Sequence, residues 1–156
     1  ALLREGNGES LPPREGTSWF PDLAGTYVGT FVAIRAGGDP GRSTRVRLCL
    51  RPGDRGPEGF TVGLAPDGSP LLGTLAAVRF EAAGDRVAFV ERLASGEERR
   101  AEGGRTAGAL HLVERDGEGA LARWERWRIL PEEIRLERWT HERSEPRLES
   151  ARLRRR

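Results

Sequence analysis

The chain has 156 residues, enough for one domain with a substantial apolar core and too few for two. Its single cysteine excludes an intrachain disulfide framework and a four-thiolate metal site. All 26 basic residues are arginines, a usage typical of GC-rich bacterial genomes, and 24 carboxylates leave a net charge of +2. No apolar run approaches the roughly 20 residues of a transmembrane helix. We therefore expect a soluble or membrane-peripheral chain, and the sequence does not indicate its compartment.

Short alternating stretches separated by Gly/Pro-rich turns dominate the chain. Residues 1–18 are rich in Gly, Pro and Glu and predict an extended arm. Residues 144–156 predict a basic tail, with a weak helix over 147–155. Between them the alternation predicts strands at 24–36, 43–51, 60–65, 71–81, 86–93, 97–102, 109–115, 120–130 and 134–143. Eight or nine such strands indicate an all-β antiparallel meander over residues 19–143, closed as a barrel or, alternatively, folded as a β-sandwich.

The segment Leu23–Phe31, LAGTYVGTF, carries the most familiar local pattern. Gly25, Thr26 and Gly29 follow the spacing Gly-Thr-Trp-x-Gly, with Tyr27 at the tryptophan position. The segment resembles the opening strand of lipocalin-like and fatty-acid-binding-protein-like small barrels, the calycin group. The second lipocalin signature, around Thr-Asp-Tyr, is missing. The resemblance implies an up-and-down barrel that carries an apolar small molecule. The cavity residues expected for such a carrier are Tyr27, Phe31, Phe80 and Phe89.

Positive charge is concentrated at the C-terminal end. Residues 1–122 contain 15 Arg and 17 acidic residues, a net charge of −2, whereas residues 123–156 contain 11 Arg and 7 Glu, a net charge of +4. Such an end suits an anionic partner, and anionic lipid headgroups are one candidate. Nucleic acid is disfavoured because glutamates match most of the arginines.

Three of the four tryptophans lie in the same region as this excess charge. Trp124 and Trp127 are three residues apart, so on a regular strand they face opposite sides and at most one fills the core. Exposed tryptophan beside arginine is the composition of a protein-interface hot spot. The predicted partner-binding residues are Trp124, Arg126, Trp127, Arg128, Arg138, Trp139, Arg154, Arg155 and Arg156.

The sequence shows no catalytic signature. His111 and His141 lack a carboxylate at ligand spacing, and Cys49 has no neighbouring base. We therefore predict no catalytic residue, metal or cofactor. The leading hypothesis is a non-enzymatic accessory subunit that docks onto protein subunits of a larger bacterial assembly, such as a membrane-extrinsic position on a photosynthetic or respiratory complex. The alternatives are the lipocalin-like carrier and an enzyme with a polar cluster inside the barrel, for example His111 with a carboxylate.

Overall fold

The computed structural model describes residues 23–34, 40–106, 108–142 and 145–156. Ten strands form a closed barrel in which each strand pairs antiparallel with its neighbours, and the last strand pairs with the first. The strands are β1 (Gly25–Ile34), β2 (Pro40–Arg51), β3 (Glu58–Leu64), β4 (Pro70–Ala83), β5 (Arg86–Leu93), β6 (Glu98–Thr106), β7 (Ala109–Arg115), β8 (Leu121–Ile129), β9 (Glu133–Glu142) and β10 (Glu145–Arg155).

The predicted all-β antiparallel barrel is confirmed, and the sheet closes on itself instead of splitting into the two layers of a sandwich. The nine predicted strands correspond to β1–β9. The predicted arm, residues 1–18, lies outside the described residues. No helix that could cross a membrane occurs in the part of the chain that the structure describes.

The C-terminal segment corrects the predicted tail and its weak helix. Residues 145–155 form β10, which pairs along its length with β9 and β1, so the barrel extends beyond residue 143. Ala151 and Leu153 are buried, whereas Arg152 and Arg154 are exposed. This alternation has the period of a strand. The segment is a strand because it supplies hydrogen-bonding partners to both β1 and β9, which would otherwise be open edges.

Glycine in the motif of β1 lets this strand approach β10 closely. A Cβ atom added to Gly29 would lie 2.2 Å from the carbonyl oxygen of Arg152. Gly25 has a φ of +149°, which L side chains rarely adopt. Between them, the hydroxyl of Tyr27 donates to the carbonyl oxygen of Leu23 at 2.9 Å. These contacts give the motif residues a local structural role at the barrel's seam.

Apolar and aromatic side chains fill the middle and one end of the barrel. The ring centroids of Phe80, Phe89 and Trp127 lie 4.9–5.2 Å apart, in tilted and edge-on arrangements that aromatic pairs favour. We call the end at which β5–β6, β7–β8 and β9–β10 are connected the upper end. Charged residues occupy inward positions towards this end.

Candidate functional site: an interior charge cluster

Five charged side chains project inward from strands β5, β7, β8 and β9, and together they form the interior charge cluster. The alternation along β8 explains their direction, because Arg123, Glu125 and Trp127 are buried while the residues between them are not. Trp127 packs on Phe80 in the core, so the two charged residues that share its face must also point inward. The members of the cluster are Glu91 of β5, Glu114 of β7, Arg123 and Glu125 of β8, and Arg138 of β9.

Arg123 is at the centre of the interior charge cluster, and its side chain is 2% exposed. Its Nη1 atom lies 2.5 Å from Glu91 Oε1 and 3.3 Å from Glu125 Oε2. Its Nε atom lies 3.1 Å from Glu114 Oε1. Three carboxylates therefore surround one guanidinium group inside the barrel.

Glu125 joins this group to a second arginine and to the aromatic core. Its Oε2 atom accepts a hydrogen bond from Arg138 Nε at 2.8 Å, and its Oε1 atom accepts one from Trp127 Nε1 at 2.8 Å. The guanidinium of Arg138 also lies over the ring of Phe31, 4.9 Å from its centroid. Charged groups and aromatic rings are therefore in direct contact in the upper half of the barrel.

Two donor atoms of the cluster, both on Arg123, make no hydrogen bond to a described residue. Arg123 Nη2 is buried and makes no hydrogen bond to any described residue, and Arg123 Nε, although close to Glu114, is not aligned for one. A buried polar group without a partner forfeits its hydration and destabilises the fold by about 1–3 kcal/mol. The interior thus holds a charged group whose free N–H could donate a hydrogen bond to an oxygen atom of a ligand.

Neighbouring charges favour the ionised forms of Glu125 and Arg123. Burial alone would raise the pKa of Glu125, but Arg138, Arg123 and the Trp127 hydrogen bond outweigh it and hold the pKa below its ordinary value. Burial likewise would lower the pKa of Arg123, and the carboxylates of Glu125 and Glu91 raise it instead. Ion pairs in an interior stabilise less than apolar packing of the same volume, since desolvation offsets their attraction.

The four predicted cavity residues are all buried in the interior, at different depths. Phe31 lies against the cluster, whereas Phe80 and Phe89 pack on Trp127 in the middle. Tyr27 lies lower, with the guanidinium of Arg155 over its ring at 5.1 Å.

Three of the predicted partner-binding residues are turned inward, which corrects their assignment. Trp127 is 2% exposed in the core, and Arg138 is hydrogen-bonded to the fully buried Glu125. Arg155 lies over Tyr27 and donates to the carbonyl oxygen of Ala24 at 2.8 Å. The alternation of each strand fixes these directions, because the residues share a face with core positions. The others lie on the outer wall: Trp124, Arg126, Arg128, Trp139, Arg154 and Arg156.

Sequence reasoning missed Glu91, Glu114, Arg123 and Glu125 as interior residues. The signal that could have found Arg123 and Glu125 is the parity with Trp127, once that tryptophan is assigned to the core. His111, which the enzyme hypothesis required inside, faces outward: it is the cross-strand partner of Arg126, whose ion pair with Glu137 lies on the outer wall. No group of three His, Cys, Asp or Glu residues able to hold a metal occurs among the described residues.

Comparison with known proteins gives information about the fold alone. No protein-family model matches the sequence, and no curated protein matches it. The crystal structure of Rv2717c from M. tuberculosis is similar, with a TM-score of 0.65 over 89% of this chain and 96% of that chain. The two sequences are 15% identical. The likeness shows that the barrel architecture of this chain also occurs in a solved protein.

Proposed function

We propose that the protein is a lipocalin-like binding protein that holds a small amphipathic molecule in the upper half of its barrel. The observation that carries the proposal is the buried Nη2 atom of Arg123, a charged donor inside a barrel with no acceptor among the described residues. An anionic or strongly polar group of the ligand would accept from this atom. The apolar body of the ligand would pack against aromatic residues such as Phe31.

The dimensions of the barrel support this proposal. Barrel diameter grows with strand number, and about eight strands already leave an interior that side chains fill or that holds one small ligand. Ten strands enclose a wider interior. Long arginine and glutamate side chains reach into its upper half, where they present charge to whatever enters.

The energetics of buried ion pairs also favour a role of the interior charge cluster in ligand recognition. Apolar residues of similar volume in place of a buried ion-pair network are often neutral or stabilising. Stability alone therefore does not account for two buried or half-buried arginines and three carboxylates at inward positions. Recognition of a polar ligand group accounts for both their charge and their convergence.

Calorimetric titration with three ligands of equal alkyl chain length, a carboxylate, a sulfate and an alcohol, tests the interior site. We expect the two anions to bind more tightly than the alcohol. Arg123→Lys keeps the charge but removes Nη2, and we expect it to weaken anion binding about tenfold, the value of one charge-assisted hydrogen bond. Arg126→Lys, on the same strand but facing outward and paired with Glu137, is the matched control and should bind as the wild type does. Equal loss in both variants, or no binding of either anion, would refute the proposal.

Docking onto a protein assembly is a second candidate function, and the outer face of the β8–β9 hairpin favours it. Trp124 and Trp139 are directly opposite each other across the two strands and are partly exposed. Arg126 and Arg128 flank them on β8. Partly exposed tryptophan beside arginine fits the centre of an interface.

Co-purification from the native organism tests this docking. The double variant Trp124→Ser with Trp139→Ser should lose any stably associated subunit that the wild type retains. Leu72→Ser, at a side chain that is 70% exposed on β4, controls for the loss of an exposed apolar group elsewhere. Retention of the same subunits by the double variant contradicts docking through this hairpin.

A further inference from the structure

We propose that the outer wall formed by β8, β9, β10, β1 and β2 binds the surface of an anionic phospholipid bilayer. The proposed partner of the outer wall is a lipid surface, and its binding there is independent of the interior ligand site. Three observations support it: the register of arginines, their excess over carboxylates among the described residues, and the apolar side chains above them. We call this wall the basic face.

The basic face is built on a row of arginines in direct register. Arg128 of β8 is opposite Arg135 of β9, and Arg135 is opposite Arg152 of β10. The same row continues through Thr30 of β1 to Arg45 of β2. Four arginines thus occupy one row across five neighbouring strands. Like charges directly opposite each other destabilise a sheet, so an external anion that neutralises them would stabilise the wall.

In the part of the chain that the structure describes, one carboxylate pairs with the four arginines of this row. Glu133 lies 2.6 Å from Arg135 and 3.4 Å from Arg152. Within residues 23–34, 40–106, 108–142 and 145–156, no ion pair involves Arg128 or Arg45. The neighbouring row adds two further arginines, since Val28 of β1 lies between Arg154 and Arg47.

On the opposite wall of the barrel, arginines and carboxylates are paired, so the excess of arginine over carboxylate is confined to the basic face. On β4 and β6, Arg79 and Arg100 pair with Glu81, at 2.7 and 3.3 Å. Arg100 also pairs with Glu102 at 2.7 Å, and Arg79 lies 3.9 Å from Glu98. Arg92 of β5 pairs with Glu98 at 3.5 Å, so three arginines match three glutamates in this group. The small net charge of the chain therefore conceals a one-sided field that would orient the barrel towards an anionic surface.

Apolar and aromatic side chains lie above the arginine row on the same wall. Trp124 is opposite Trp139, which is opposite Leu148 of β10, and this row lies four residues, about 13 Å, towards the upper end. Leu148 is 44% exposed and Val32 of β1 is 38% exposed. Tryptophan is enriched at the membrane interface, where its ring spans apolar and polar zones. Guanidinium groups bind phosphate oxygens in bidentate fashion.

A bilayer fits these observations better than single-stranded nucleic acid does. Base stacking needs an open ring face, and one face of Trp139 is covered by His141, stacked at 6.0 Å with a 13° interplanar angle. Exposed aliphatic residues such as Leu148 and Val32 gain from contact with the acyl boundary, and a phosphodiester chain offers them no such contact. The combination of arginine row, tryptophan pair and exposed aliphatics is that of an interfacial protein surface.

Co-sedimentation with vesicles tests the proposal on the full chain. We expect binding to vesicles of phosphatidylcholine with phosphatidylglycerol, weakening as salt rises, and little binding to phosphatidylcholine alone. The triple variant Arg128→Gln, Arg135→Gln, Arg152→Gln should lower the partition coefficient about a hundredfold, from about fivefold for each arginine. The triple variant Arg86→Gln, Arg92→Gln, Arg115→Gln makes the same charge change on β5 and β7 and should bind as the wild type does.

Three results would overturn the inference: no binding to anionic vesicles at low salt, equal loss in the two triple variants, or tighter binding to a single-stranded oligonucleotide at equal phosphate concentration. The last result would make nucleic acid the partner. Circular dichroism on each variant confirms that the barrel is intact. Titration of the alkyl anions with the same variants should be unchanged, so failure of the lipid inference is distinguishable from failure of the interior site.

Discussion

A chain that ends at Glu142 will not fold, whereas the full chain with Arg152→Gln and Arg154→Gln will fold as the wild type does. The truncation removes β10 and with it both of the hydrogen-bonded ladders that join β9 to β1. It also removes Leu153, which is 2% exposed in the core. The two substitutions change only exposed side chains and leave the strand in place.

Far-ultraviolet circular dichroism and urea unfolding distinguish the two chains. The truncated chain should show no cooperative transition, because an open sheet of this size exposes two unpaired edges and one side of its core. The double variant should unfold within about 1 kcal/mol of the wild type. A truncated chain with the unfolding midpoint of the wild type would mean that β10 is a dispensable tail, as the composition alone suggests.

Glu125→Gln will lower the free energy of unfolding by about 3–5 kcal/mol at neutral pH, the usual cost of removing one partner from a buried ion pair. The substitution keeps the shape of the side chain but leaves Arg138 without its carboxylate acceptor. Arg123 retains Glu91 and Glu114, so the loss falls mainly on Arg138 and on the hydrogen bond from Trp127. Urea unfolding measures the difference.

Glu137→Gln is the matched control. Glu137 also pairs with an arginine across the β8–β9 ladder, Arg126, but on the outer wall with its side chain 42% exposed. We expect a change of about 0–1 kcal/mol, typical of a solvated pair. Equal effects of the two substitutions would contradict the assignment of Glu125 to the interior.

The pH dependence gives an independent measure of Glu125. Its pKa in the folded protein lies below the ordinary value of 4.5, so the unfolded chain binds the proton more tightly. The stability that its charge contributes is therefore complete above pH 4.5 and is lost as pH falls below that value. The difference between wild type and Glu125→Gln should shrink from neutral pH towards pH 3. A difference that stays constant over this range would show that the carboxylate charge is not the stabilising feature.

Several structural features could be predicted because they depend on local physical chemistry. Alternation of period two, interrupted by Gly- and Pro-rich turns, predicts β1–β9, since such turns require the backbone angles that these residues supply. The faces of β2 follow from the same alternation: Leu48 and Leu50 are buried, and Arg45 and Arg47 face outward. The spacing of Trp124 and Trp127 correctly predicts that the two rings are on opposite sides of β8.

Other features could not be predicted, because more than one arrangement satisfies the local pattern. β10 is rich in arginine, and long arginine stems suit a helix, a frayed end or a strand equally well. In β8 both faces carry tryptophan and arginine, so alternation separates the two faces without identifying the inner one. The contacts of Trp127 with Phe80 and Phe89, from strands far away in sequence, decide that question.

The sequence by itself determined that this protein is an all-β antiparallel meander, closed as a barrel or folded as a sandwich, with its excess positive charge near the C-terminus. Only the tertiary structure decided which charged side chains point into the barrel and which lie on its outer wall. Closure of the sheet turned Arg123 and Glu125 into the low-dielectric interior and aligned Arg128, Arg135 and Arg152 on the outer wall. The physical reason is that alternation is a property of one strand, whereas inside, outside and register exist only after ten strands have paired.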